Sequence, residues 1–93
     1  MATSQEVIIQ HEVGLHARPA ALFAKRAAQY ASAISIENMT KGSQPVNAKS
    51  MLRLLSASIQ MNDQLRITAE GDDEQAAVKA LCELIKQNFQ ETE

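Results

Sequence analysis

Tryptophan is absent from this 93-residue chain, and Phe23, Tyr30 and Phe89 are its only aromatic residues. With 45% of its residues hydrophobic, the core must be built from aliphatic side chains and alanine. A single cysteine, Cys82, excludes an internal disulfide, and a reducing cytoplasm is the expected setting. No apolar run reaches the roughly 20 residues of a membrane-spanning helix, and no charged-then-apolar leader is evident, so membrane insertion is not expected. Glycine and proline are scarce, at three and two residues. No linker, repeat or low-complexity stretch divides the chain, and residues 1–93 read as one small domain. A net charge of −2 argues against a general nucleic-acid binder.

The charges that are present are segregated. Between residues 18 and 53 stand Arg18, Lys25, Arg26, Lys41, Lys49 and Arg53 against one acid, Glu37. From residue 63 onward eight acids face only Arg66, Lys79 and Lys86. Should the basic segments lie together, they make a local positive field on a mildly acidic protein, suited to acidic partner surfaces. Chance segregation of solvated charges is the competing reading.

Periodicity divides the chain into seven elements. A short β-rich strand is expected over Glu6 to Gln10. A helix follows from about Ala17 to Ala31, because Ala20, Phe23, Ala24, Ala27 and Ala31 fall on one stripe. Leu22 lies opposite that stripe beside Lys25, and reads as an exposed docking contact. Ile34 and Ile36 alternate with Ser35 and Glu37 as a half-buried strand. A turn through Thr40 to Pro45 leads to a short strand at Val46 to Lys49, placed at an edge by Pro45.

Ser50 reads as the N-cap of a short helix over about Met51 to Ser58. That helix is apolar nearly all round, so some of Met51, Leu52 and Leu55 should remain exposed as a binding patch. Leu65, Ile67 and Ala69 mark a fourth strand ended by Gly71. Asp72 and Gln75 have capping-box spacing for a last helix, whose core stripe is Val78, Leu81, Cys82, Ile85 and Phe89. The order β-α-β-β-α-β-α predicts an α+β, two-layer open-faced sandwich.

One run of residues carries the chemistry: Gly14-Leu15-His16-Ala17-Arg18-Pro19-Ala20. Pro19 marks the first turn of a helix, where a missing N–H costs nothing. The first N–H groups of that helix lack intrahelical partners and sit at the positive end of its dipole. His16 therefore faces an anion site, with the Arg18 guanidinium beside it. Imidazole is both a competent nucleophile and a tolerable leaving group near neutral pH, which a group that takes and releases phosphate requires. A helix-capping histidine is the structural alternative. A metal site at His11 and His16 is not expected, because their spacing fits no usual ligand pattern.

This run resembles the active-site signature of the HPr family, the histidine-containing phosphocarriers of the bacterial sugar phosphotransferase system. Two further blocks resemble the same family in the same order, Val46-Asn47-Ala48-Lys49-Ser50-Met51-Leu52 and Ile67 to Ala76. Together with the segments between them, the resemblance covers residues 5 to 89. It implies a four-stranded antiparallel sheet under three helices, all on one face. His16 would carry the phosphoryl group on Nδ1, with Arg18 pairing its oxygens. Enzyme I, charged by phosphoenolpyruvate, would be the donor, and EIIA proteins or domains the acceptors.

Leu22, Lys25, Met51, Leu52, Arg53 and Leu55 match the family's docking positions. Ser50 matches its regulatory serine, which implies a serine kinase/phosphorylase and a transcriptional regulator as further partners, although a plain N-cap role stays open. No Gly-rich nucleotide loop is present, so the chain is expected to be a carrier without a cofactor, acting as a monomer, rather than an independent enzyme. Glu12 and Val13 depart from the residues many relatives have before the glycine. That departure leaves room for a paralogue serving nitrogen control or a dihydroxyacetone kinase, or for a non-catalytic binding module. Relatives with glutamine in place of the histidine are excluded by His16.

Overall fold

The computed structural model describes residues 2–10 and 17–89. The expectations at His11, Glu12, Val13, Gly14, Leu15 and His16 lie outside the described residues. Seven elements follow in the expected order: β1 (Thr3–Ile8), α1 (Ala17–Ala27), β2 (Ala33–Asn38), β3 (Val46–Asn47), α2 (Met51–Ser56), β4 (Gln64–Glu70) and α3 (Glu74–Lys86). The strands form one antiparallel sheet in the order β1-β4-β2-β3. β3 occupies an edge, where the preceding Pro45 removes no ladder bond.

Alternation along the strands decides which face is covered. Leu65, Ile67 and Ala69 of β4 are buried, with Val7 of β1 opposite Leu65 and Ile36 and Ile34 of β2 opposite Ile67 and Ala69. The other face is polar. Ser4, Thr68, Ser35 and Asn47 form one row across it, and Glu6, Arg66 and Glu37 the next. Arg66 reaches Glu6 at 3.1 Å and Glu37 at 3.5 Å, so the row of like charges is bridged by the cation between them.

The helices close the core from one side. α3 packs on β1 and β4, while α1 packs on both α2 and α3. Pro19, Ala20, Phe23, Ala24 and Ala27 make the buried stripe of α1. Val78, Leu81, Cys82, Ile85 and Phe89 are buried as their spacing predicts. Phe23, fully enclosed, is the largest single contributor, and its truncation to alanine would cost about 3–5 kcal/mol.

Several boundaries differ from the sequence expectation. β1 lies at Thr3–Ile8 rather than Glu6 to Gln10; Ile9 is still buried, just past the strand. α1 stops at Ala27, and Ala31 is exposed. The chain turns there because the Asp73 carboxylate accepts from the backbone N–H of Ala31 at 2.8 Å and of Ser32 at 3.0 Å, satisfying groups that a longer helix would have used.

The same carboxylate corrects the capping reading. Asp73, not Asp72, flanks α3, and it makes no side-chain cap bond. Instead Glu74 accepts from Gly71 N at 3.1 Å and from the Thr3 hydroxyl at 2.6 Å. The Ser32 hydroxyl donates to Asp73 as well, and these bonds hold both acids below their ordinary pKa values, Ser32 chiefly for Asp73 and Thr3 chiefly for Glu74. The local back-bond therefore forms one residue earlier than expected, from Gly71 to Glu74, while Asp73 turns to the long-range donors at Ala31 and Ser32.

Candidate functional site

The candidate site draws on the first turn of α1 and the whole of α2. α1 begins at Ala17, immediately after His16, with Arg18 and Pro19 in its first turn and no acidic residue there. Its initial N–H groups are those a helix leaves without intrahelical partners. Arg18 is exposed while Pro19 and Ala20 turn into the core, which fixes the guanidinium on the solvent side of the helix start. At about 100° per residue, Arg18, Leu22 and Lys25 share one stripe opposite the buried one. Lys25 is exposed, but Leu22 is half-buried against the core cluster rather than exposed. The reason is tertiary: Leu22 packs against the core cluster, whose members outside α1 single-helix periodicity does not contain.

α2 starts as its sequence directs. Ser50 has extended backbone angles, and its Oγ accepts from Arg53 N at 3.3 Å. That bond satisfies one orphan donor of the helix. Leu54 is the buried residue of α2, Leu55 is half-buried, and Met51, Leu52 and Arg53 face solvent. Leu52 is 79% exposed and Met51 36%. So short a helix cannot hide every apolar side chain, and the exposed pair forms an apolar centre flanked by Arg53.

Two of the expected basic residues belong to the scaffold instead. Lys49 Nζ donates to Tyr30 O at 2.8 Å, tying the approach to α2 to the segment after α1. Lys41 Nζ meets Asp63 Oδ2 at 2.7 Å, in a cluster where Asp63 also accepts from Asn38 Nδ2 and Gln60 N, both at 2.9 Å. Burial pushes the Asp63 pKa up, but the Lys41, Gln60 and Asn38 bonds outweigh it and hold the carboxyl below its ordinary value. Arg18, Lys25, Lys41 and Arg53 are all exposed, but the Lys41 charge is paired with Asp63, so the positive field is narrower than the charge count suggests. Neither scaffold bond was legible in local sequence, because each spans 19 or more positions.

Among the described residues a hollow of about 440 Å³ lies at the start of α2, lined by Pro45, Val46, Asn47, Ser50 and Arg53. A hollow of about 600 Å³ on the polar sheet face is lined by Ala31, Ala33, Ile34, Ser35, Asn47, Lys49, Thr68 and Glu70, none of them from α1 or α2. Among the described residues no cluster of His, Cys, Asp and Glu could hold a metal ion, and no helix is long and apolar enough to cross a membrane. A basic, apolar-centred face around a helix start suits protein docking and anion contact.

Comparison with known proteins identifies the family. The PTS-HPr family model, described as the PTS HPr component phosphorylation site, matches residues 3–87. The chain belongs to the HPr family. The phosphocarrier protein HPr of Borreliella burgdorferi is 43% identical over 82 residues, which span 88% of this chain and 92% of that relative. The multiphosphoryl transfer protein of Vibrio cholerae is 41% identical over 73 residues, 78% of this chain but 18% of the relative's own length. The HPr fold therefore occurs both alone and as a segment of larger transfer proteins. Among solved structures, HPr-C-His from Thermoanaerobacter tengcongensis superposes with a TM-score of 0.88 at 40% identity, covering 98% of this chain and 99% of that one. The open-faced sandwich expected from the sequence is the HPr architecture.

Proposed function

We propose that His16 of this HPr-family phosphocarrier accepts a phosphoryl group from enzyme I, itself charged by phosphoenolpyruvate, and passes it to EIIA proteins or domains for sugar uptake. The observation that carries this reading is the family match across residues 3–87, with α1 opening one residue after His16 and Arg18 exposed in its first turn. In each half-reaction an imidazole nitrogen forms the new N–P bond as the donor's N–P bond breaks. The Arg18 guanidinium and the free N–H groups of α1 offset charge on the phosphoryl oxygens. Their help must stay modest, since tight holding of the phosphorylated state would slow onward transfer.

Docking falls to Leu22, Lys25, Met51, Leu52, Arg53 and Leu55 on the paired helices, with the protein acting as a monomer in the cytoplasm. Ser50 is the point of control in this reading. A phosphate there would stand in the α2 sequence directly before Met51 and Leu52 and repel acidic partners. A serine kinase/phosphorylase and a transcriptional regulator would be the corresponding partners. The test is a reconstituted transfer from phosphoenolpyruvate through enzyme I to this protein and on to an EIIA acceptor. Transfer should require His16, and a His16→Ala protein that still relays phosphate would refute the reading. Mass spectrometry of the native protein under varied carbon sources should detect phospho-Ser50, and its complete absence would remove the control point.

A further inference from the structure

The four methionines are Met1, Met39, Met51 and Met61, and the structure separates three of them. Met39 is half-buried in the turn after β2. Met61 is 48% exposed in the loop between α2 and β4, and Met51 is 36% exposed at the first position of α2. Only Met51 adjoins the apolar centre of the docking face, next to Leu52. The other sulfur in the chain is protected: Cys82 is 1% exposed. Burial raises its pKa against a small opposing effect of Lys86, so the reactive thiolate is scarce. An oxidant in solution therefore meets thioethers first.

We propose that Met51 is an oxidative modification site through which hydroperoxides weaken partner docking. The inference rests on the docking role given above to α2. The Met51 sulfur attacks one oxygen of hydrogen peroxide; the S–O bond forms as the O–O bond breaks, and the departing hydroxide takes the proton of the sulfur-bound hydroxyl, leaving the sulfoxide and water. Sulfur is oxidised by two electrons and the peroxide is reduced by two. The product is a polar, chiral sulfoxide in an apolar contact, and methionine sulfoxide reductases can reverse it. Because α2 is held by Leu54 below and Ser50 at its start, the fold should survive the change.

The test treats the intact protein with hydrogen peroxide, maps sulfoxides by mass spectrometry, and measures phosphotransfer from enzyme I as a function of carrier concentration. Oxidation should raise KM about fivefold with kcat little changed, the size expected for an interface contact. Reductase treatment should restore it. Met61→Leu should retain the sensitivity, and Met51→Leu should lose it whatever its own starting KM. The inference is overturned if Met51 resists oxidation, if its sulfoxide leaves KM unchanged, or if Met51→Leu stays sensitive. Failure of untreated protein to accept phosphate from enzyme I would instead refute the carrier reading itself.

Discussion

Asp63→Ala tests whether the segment after α2 is held against β2 by a buried polar cluster. Asp63 Oδ2 collects three donors: Lys41 Nζ at 2.7 Å, Asn38 Nδ2 at 2.9 Å and Gln60 N at 2.9 Å. Some of these survive the truncation with other partners. Asn38 Nδ2 keeps Ala57 O at 3.3 Å, and Lys41 keeps Ser58 O at 2.8 Å and Gln60 Oε1 at 3.2 Å. The loss is then one charged bond, two donors left with less, and a small cavity, offset by relief of the carboxylate's desolvation.

A net cost of about 2–3 kcal/mol follows. For a domain of this size that lowers Tm by roughly 10–20 °C. Asp63→Asn, which keeps an acceptor and the volume but not the charge, should lose about half as much. Thermal and urea denaturation followed by circular dichroism measure both. A loss below about 1 kcal/mol for Asp63→Ala would refute the claim that this cluster fastens the α2–β4 loop to β2.

Acidification reports on the same group. Because Asp63 is held below its ordinary carboxylate value, its contribution is fully present above about pH 4 and is lost as pH falls through the folded value. Urea unfolding from pH 5 to pH 2 should show a shallower decline for Asp63→Asn than for the parent, and equal slopes would contradict the assignment. Gly71→Ala should destabilise strongly, since its φ is +152° and a Cβ would sit 2.7 Å from Ser32 Oγ and 2.8 Å from Ser32 Cα. A denaturation midpoint unchanged from the parent would show that Ser32 moves aside freely. Leu52→Ala should leave Tm within about 2 °C, as the side chain is 79% exposed, because surface changes cost little. Yet it should raise KM toward enzyme I about fivefold, and an unaltered KM would remove Leu52 from the docking face.

What the sequence revealed divides along the range of the forces involved. Strand alternation at Leu65, Ile67 and Ala69 and the helical stripes of α1 and α3 were legible, because burial repeats with the local backbone period. The Ser50 cap was legible for the same reason, its acceptor and donor being three residues apart. The early end of α1 was not, since its cause is Asp73, 42 positions away from Ala31. Half-burial of Leu22 depended on tertiary packing against the core cluster. Lys41 and Lys49 counted toward the positive field until their partners Asp63 and Tyr30 were known. At the candidate site, the helix start and the exposed Met51 and Leu52 of α2 followed from sequence, while His16 lies outside the described residues.

Chemical mapping of the phosphorylated protein decides whether His16 is the carrier. After incubation with phosphoenolpyruvate and enzyme I, the protein should gain one phosphoryl group that is lost in acid, survives alkali and maps to the peptide containing His16. A group that persists in acid, or one that forms equally on His16→Ala, would contradict a histidine carrier.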